Sequence, residues 1–267
     1  MSLPEPDPGT TVVVTGASAG IGTELARQLA ERGYNLVLVA RRRERLDELA
    51  GTLRARHGVA VDVDDAPVGD PAARERLLTT LRDNERAIVG LCNNAGFATY
   101  GRLQDNDPDR ELEEVRVNID ALHHLTVGLL PAMLERGEGA ILNLASTAAF
   151  QPLPYQATYG ASKAFVLSFS EALHTDLQGT GVSCTALCPG PTRTEFVDVA
   201  QMHGLEAQAP GFLWQSAEDC ARDGIMAMLA GRRTVVPRIT NKLTANAGRL
   251  TPRSVLLPVV RLIYGRG

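Results

Sequence analysis

Between Thr10 and about Leu187 the chain alternates short apolar runs with longer stretches of helical period. The runs Thr11–Thr15, Asn35–Ala40, Val59–Val63, Ala87–Cys92, Ala140–Ala145 and Val182–Leu187 are rich in Val, Ile, Leu and Ala. None alternates strictly between apolar and polar, which is the pattern of strands covered on both faces. Between them, Thr23–Arg32, Arg43–His57 and Asp70–Asp83 carry apolar residues at amphipathic-helix spacing. Repeated strand–helix order predicts an α/β fold, a doubly wound parallel sheet with right-handed crossovers. A late strand at Thr234–Pro237 closes one edge. No linker or internal repeat interrupts this order, so residues 1–267 read as one domain.

Two segments break the pattern. Residues 189–216 mix Gly, Pro and large apolar residues, and a loop of that length in a compact domain reads as a substrate loop or lid. The tail, residues 238–267, is first basic and then apolar over Ser254–Tyr264, with Pro252 and Pro258 as punctuation. It reads as a packing or oligomer segment, with shallow membrane contact as the alternative.

Composition narrows the field. The chain is 44% hydrophobic and 22% charged, with a formal net charge of −4, which disfavours nucleic acid as a partner. No apolar run approaches the ~18–20 residues of a membrane span, so no stable membrane insertion is expected. Residues 1–9 are Pro-rich and acidic, unlike a signal or transit peptide. Cys92, Cys184, Cys188 and Cys220 show no metal-ligand spacing, and His123 and His124 diverge on a helix. Reduced thiols in a cytoplasmic protein without a metal is the resulting expectation.

Chemistry begins at the first strand–helix turn, Thr15-Gly16-Ala17-Ser18-Ala19-Gly20-Ile21-Gly22. Glycines there allow positive φ and let the backbone approach a diphosphate at a helix N-terminus. Strand before and helix after make it a Rossmann-type dinucleotide turn. The second strand ends Val39-Ala40-Arg41-Arg42-Arg43 with no acid before Glu44. A carboxylate there would favour NAD, whereas Arg suits a 2′-phosphate through bidentate, charge-assisted bonds. The expectation is therefore NADP read by Arg41 and Arg42, with NAD as runner-up.

Tyr159 and Lys163 stand four apart at the start of a helix that runs to about Gln178, which puts phenol and ammonium on one face. A free phenol titrates near ~10, too high for acid–base work at neutrality. An ammonium ~4 Å away at an effective dielectric of ~20 offers about 4 kcal/mol toward the phenolate. Ser146 ends the fifth strand, at the edge where parallel sheets bind ligands, and is also the kind of residue that caps a turn.

The ordered set of the glycine turn, Asn93-Asn94-Ala95-Gly96, Asn118, Ser146 and Tyr159-x-x-x-Lys163 resembles the short-chain dehydrogenase/reductase family over roughly Thr10–Thr194. The resemblance implies a catalytic tetrad. In it Asn118 holds a relay water, Ser146 polarises a carbonyl, Tyr159 exchanges the proton, and Lys163 lowers the tyrosine pKa and binds the nicotinamide ribose. It further implies cofactor contacts from Gly16, Ser18, Ala19, Gly20, Ile21, Gly22, Asn94, Ala95 and Gly96. Pro189, Gly190, Thr192 and Thr194, in the segment after the sixth strand, join them. Two positions depart from the family pattern. Thr192 replaces a usual Val or Ile, and Pro67-Val68 stands where an Asp-Leu or Asp-Val normally touches adenine.

Phe97, Tyr100, Phe150, Leu153, Tyr155, Phe196, Met202, Phe212, Leu213 and Trp214 are the expected wall for a small, apolar ketone or alcohol. The competing reading is a non-catalytic NADP-binding sensor or scaffold, whose mark would be a broken tetrad. A sugar-nucleotide epimerase would instead carry a differently spaced glycine turn and a longer C-terminal part. The resemblance also implies a homodimer or homotetramer paired through helices near Pro108–Arg136 and Tyr159–Gln178.

Overall fold

The computed structural model describes residues 3–200, 211 and 214–264. Seven strands form the parallel central sheet: β1 (Thr10–Thr15), β2 (Asn35–Val39), β3 (Val61–Asp64), β4 (Ala87–Asn93), β5 (Gly139–Leu144), β6 (Val182–Leu187) and the two-residue β9 (Thr234–Val235). Two further short strands, β7 (Thr192–Arg193) and β8 (Gln215–Ser216), pair with each other outside it. The spatial order is β3-β2-β1-β4-β5-β6-β9. The chain winds outward from β1 in one direction, then returns to β4 and winds the other way. The crevice between β1 and β4 is thus the topological switch point, where such sheets bind ligands.

The apolar runs become strands because each residue has a helix to face. In β1, Val12 and Val14 point to a layer built on Leu25 and Leu29 of α1 (Gly20–Glu31) and Leu46 and Leu53 of α2 (Arg43–His57). That layer also holds Ile225 and Met228 of α8 (Ala217–Leu229). Val13 points the other way, to Leu77, Leu78 and Leu81 of α3 (Pro71–Arg82) and to Leu125, Leu129 and Met133 of α5 (Leu122–Arg136). Period-two alternation between two buried layers explains why no polar face shows in the sequence. A third cluster packs Val166 and Leu167 of α6 (Ala157–Asp176) against Leu122, Ala186 and Cys188.

Boundaries moved where local chemistry intervenes. Helix α1 begins at Gly20, three residues before the expected Thr23, because the turn glycines enter the helix directly. The expected strand at Val59–Val63 shifts to Val61–Asp64, and the last strand shortens to Thr234–Val235. The stretch anticipated as one helix over Pro108–Arg136 is α4 (Pro108–Val115), a π-helical segment Arg116–Ala121, and α5. The tail folds as α9 (Ile239–Leu250) and α10 (Arg253–Tyr264). Leu256 and Val260 of α10 pack on Ala148 and Leu153, with Tyr159 alongside.

Among the described residues, no helix is long and apolar enough to cross a membrane. All four cysteines are buried free thiols, and burial pushes Cys92, Cys184 and Cys188 up to about 12. Inert buried thiols match their apolar surroundings.

Candidate active site

The glycine turn is fixed from β4. The Thr15 hydroxyl accepts from the backbone N–H groups of Asn94 and Ala95, both at 3.0 Å, and donates to the Cys92 carbonyl at 3.3 Å. The Asn94 amide donates to the carbonyls of Thr15, at 2.9 Å, and Gly16, at 3.3 Å. Gly16 and Gly20 both have positive φ, 66° and 55°. Gly22 answers a different need. A Cβ there would lie 2.2 Å from the Gly16 carbonyl oxygen and 2.5 Å from the Asn94 amide nitrogen. Gly22 is buried and is not among the residues of the cavity wall, and its lack of a side chain serves the packing of the turn.

Above this turn opens a cavity of ≈1130 Å³, reaching from the ends of β1 and β2 across to the tail helices. Its walls bring together Gly16, Ser18, Ala19, Gly20, Ile21, Arg41, Arg42, Asn94, Ala95, Gly96, Ser146, Tyr159, Lys163, Pro189, Gly190, Thr192 and Thr194. Of the expected site residues only Gly22 and Asn118 lie outside that wall. No side chain caps the N-terminus of α1, where Ala19 is the N-cap. The first N–H groups of that helix and its positive dipole end therefore belong to the cavity side, as anion sites require.

Arg41 and Arg42 sit at the rim. Arg41 pairs with Glu113 at 3.1 Å, and Arg42 bonds Ser18 at 3.1 Å and Glu195 at 2.8 Å. These exposed pairs are worth about 0–1 kcal/mol each, so a phosphate can displace the carboxylates at little cost. The Arg42 and Arg45 guanidiniums hold Glu195 below the usual carboxylate range. Beyond them Ala66, Pro67, Val68, Gly69 and Asp70 form the wall at the expected adenine end. Asp64 accepts from Ala66 N–H at 2.9 Å and Asp70 caps α3, while the exposed Asp65 is not among the residues of the wall. Buried Arg74 donates to the Val68 carbonyl at 2.9 Å and fixes this loop from beneath.

At the other end, Tyr159 and Lys163 lie on the first turns of α6, with the Lys163 Nζ 5.8 Å from the Tyr159 ring centre. The ammonium donates to the Leu144 carbonyl at 2.8 Å, and burial draws its pKa down to about 8. Ser146 plays both parts the sequence allowed. It lines the cavity, and its hydroxyl also caps the turn Thr147–Phe150 by accepting from Ala148 N–H at 3.1 Å.

Asn118 lies in the π-helical segment, buried behind the wall. Its side chain accepts from Phe97 N–H at 3.1 Å and donates to the Phe97 carbonyl at 2.9 Å and to Ser162 at 3.1 Å. These bonds fasten the strand-end loop to α6, and π bulges recur where a helix is opened for function. The adjacent Asn93 extends the scaffold, donating to Asn143 of β5 at 2.9 Å and Thr126 of α5 at 3.0 Å.

Sequence reasoning missed two acids. Glu114 is fully buried, accepts from both the N–H and hydroxyl of Thr99 at 2.8 Å, and leaves its Oε1 without a partner. Burial raises its pKa to about 7. The Thr99 bonds oppose that rise, Glu111 adds to it, and Lys163 opposes it. Burial also works against ionisation of Glu111, but bonds from Thr158, Thr99 and Asn106 win and hold it low. Their helix reads Pro-Asp-Arg-Glu-Leu-Glu-Glu-Val over residues 108–115, mostly charged, so the sequence held no signal that these two acids are buried.

Among the anticipated substrate residues, Phe97, Leu153, Phe196 and Trp214 line the cavity. Phe150 instead packs against the Val166 cluster, and Tyr100 and Tyr155, whose tilted rings lie 6.3 Å apart, are not part of this wall. Met202, Phe212 and Leu213 lie outside the described residues. Unanticipated wall residues come from the tail: Asn241, Thr244, Ala245 and Val260.

Two substitutions test the turn. Gly22→Ala should cost about 2–4 kcal/mol in thermal unfolding, because backbone must move. Gly51→Ala, in open space on α2, should gain up to ~1 kcal/mol. Equal responses would show that the turn is not tightly packed.

Glu114 predicts a pH effect. Its folded pKa of about 7 exceeds the ordinary 4.5, so the stability due to the proton is full below 4.5 and lost as pH rises to 7. Glu114→Gln should gain on the wild type by up to roughly 3 kcal/mol across that window in urea unfolding. A constant difference at pH 5 and pH 8 would refute the raised pKa.

Known proteins resemble this chain in sequence and in fold. Residues 10–203 match the family model for short chain dehydrogenase. Sulfoacetaldehyde reductase 2 of Chromohalobacter salexigens is 42% identical over 187 residues, 69% of this chain and 73% of that protein. Serine 3-dehydrogenase of Rhizobium radiobacter is 38% identical over 199 residues, 74% of this chain and 78% of that one. A short-chain dehydrogenase from Sphingobium yanoikuyae, solved with NADPH, superimposes with a TM-score of 0.81 at 33% identity, covering 93% of this chain and 95% of that one.

Proposed function

The chain belongs to the short-chain dehydrogenase family, and from that premise we propose that it is an NADP(H)-dependent oxidoreductase acting on a carbonyl or secondary alcohol of an apolar substrate. The observation that carries the reading is convergence: the glycine turn, both rim arginines, Ser146, Tyr159 and Lys163 all face one cavity. The residues fit the cofactor. Gly16 and Gly20 supply the positive-φ cradle, α1 offers uncapped N–H groups to a diphosphate, and Arg41 and Arg42 offer guanidiniums to a 2′-phosphate. The solved relative with NADPH supports the same choice. Bound there, the nicotinamide supplies or accepts the hydride.

The chain's own residues do the rest. Ser146 donates to the reacting oxygen from the edge of β5. Tyr159 gives that oxygen a proton in reduction and takes it back in oxidation. Lys163, held by the Leu144 carbonyl, keeps a positive charge near the phenol and favours its ionised form. Burial costs that ammonium part of its basicity, so it works as a charge only below a pH of about 8. The Asn118 side chain holds Phe97 and Ser162 in place and lies outside the cavity wall, and its expected place in a proton relay stays part of this reading.

Apolar side chains of Phe97, Leu153, Phe196, Trp214, Ala245 and Val260 border the reacting end, with the polar Gln151, Gln156, Asn241 and Thr244 set among them. Such a wall orients a hydrophobic carbonyl by its single oxygen. Assembly into a homo-oligomer belongs to the same reading, and the exposed Val127 and Leu134 of α5 and Phe165 of α6 supply apolar surface for it.

Tyr159→Phe should remove turnover while NADPH affinity stays within about twofold, checked by stopped-assay rates and calorimetry. Substantial residual turnover would exclude the tyrosine as the acid, and intact binding with no reaction on any carbonyl by the wild type would favour a sensor. Arg41→Ala should weaken NADPH about tenfold or more, 1.4 kcal/mol, and leave NADH nearly unchanged. Equal losses for both would show that Arg41 does not read the 2′-phosphate.

A further inference from the structure

Both tail helices carry large apolar side chains on their outward faces. In α9, Asn241, Ala245 and Gly248 face inward and are buried, whereas Ile239, Leu243 and Leu250 form an outward stripe. Leu250 is 82% exposed. In α10, Leu256 and Val260 face inward, whereas Val255, Val259 and Leu262 form a second stripe at i, i+4, i+7, each more than half exposed. Half of the exposed large hydrophobic side chains among the described residues fall within 239–262. Burial inside this chain therefore accounts for only part of the apolar character of these helices.

Charge distinguishes the occupants of such a face. From residue 224 to the end the chain has eight Lys or Arg and no Asp or Glu, whereas residues 1–223 carry a formal net charge of −12. Lys242 and Arg261 stand exposed on the same helices as the stripes. A second copy would bring this basic segment against another of like charge. An anionic bilayer offers both what the stripes need and what the basic residues need.

We propose that α9 and α10 form an interfacial docking element that seats this protein reversibly on anionic lipid surfaces, with the leucine and valine stripes in the headgroup–acyl boundary. The inward faces of the same helices contribute Asn241, Thr244, Ala245 and Val260 to the cavity wall. Docking thus brings a lipid surface against the outer side of the wall that borders the reacting end. An apolar substrate dissolved in that surface has a short path to the site. The docking itself does not depend on the reaction proposed above, so the two fail separately.

The test is vesicle flotation of the full chain. Phosphatidylcholine vesicles containing phosphatidylglycerol should carry the protein upward at low salt, pure phosphatidylcholine should bind it about tenfold less, and high salt should release it. The double variant Leu243→Asp/Val259→Asp should lose at least about tenfold in binding while its melting temperature stays that of the wild type, since both positions are exposed. A wild-type protein that stays in solution with the anionic vesicles overturns the proposal. So does a double variant that floats as well as the wild type. If the wild type ignores vesicles and the double variant turns a dimer into monomers by sedimentation, the face belongs to a second copy.

Discussion

One hydroxyl and one amide lock the strand ends at the switch point, just past the paired run of β1 and β4. Thr15 at the end of β1 and Asn94 just past β4 exchange hydrogen bonds across the switch point, and a left-handed glycine turn is pinned between them. Buried bonds of this kind contribute about 1 kcal/mol each when made and cost more when left open. Their larger effect is geometric. With the turn fixed, Gly96 emerges in line, a Cβ there would come within 3.0 Å of the Asn118 carbonyl oxygen and 3.4 Å of the Lys163 Nζ, and the next residue, Phe97, clasps Asn118. The cradle end and the acid–base end of the cavity are therefore positioned by one continuous set of contacts.

That continuity explains which parts were legible in the sequence. Most of the main strands were readable because their runs face two buried layers, the half-buried edge strand β3 less so, and the glycine turn because Gly adopts Gly16's 66° and Gly20's 55° at little cost. Tyr159, Lys163 and Ser146 were legible by spacing and by position at a strand end. Asn118 was legible as a member of an ordered set, but its bonds were not, since they depend on a π-helical turn that no hydrophobic period announces. Gly22 was legible as a member of the glycine turn, but its packing need was not, since that depends on three-dimensional proximity to Gly16. The tail helices looked like core or interface because periodicity reports two faces without saying which one turns inward.

Glu114 belongs to the same category of hidden feature, and its position has consequences for Lys163. A carboxyl buried without a full set of partners prefers to be neutral, while a buried ammonium also prefers to shed its charge. Placed within electrostatic reach, each partly relieves the other: Lys163 lowers the Glu114 pKa, and Glu114 raises that of Lys163. The acid therefore helps keep the lysine cationic as pH rises above about 7, which is where its influence on a nearby phenol is needed. A hydrophobic residue at this position would pack more cheaply but would leave Lys163 easier to neutralise.

The uneven charge along the chain acts on a longer scale. A body with a formal charge of −12 over residues 1–223 is repelled by an anionic surface, whereas the segment from 224 onward, at +8, is attracted. Opposed terms of this kind orient a molecule before they bind it, because only one end approaches at low energy. The approaching end carries α9 and α10, whose other faces form part of the cavity wall. Orientation and access are thus set by the same two helices, and the small residues Gly248 and Ala245 on their inner side allow that close packing without consuming the apolar side chains. The arrangement makes sense of a tail whose largest hydrophobic residues contribute little to the core they adjoin.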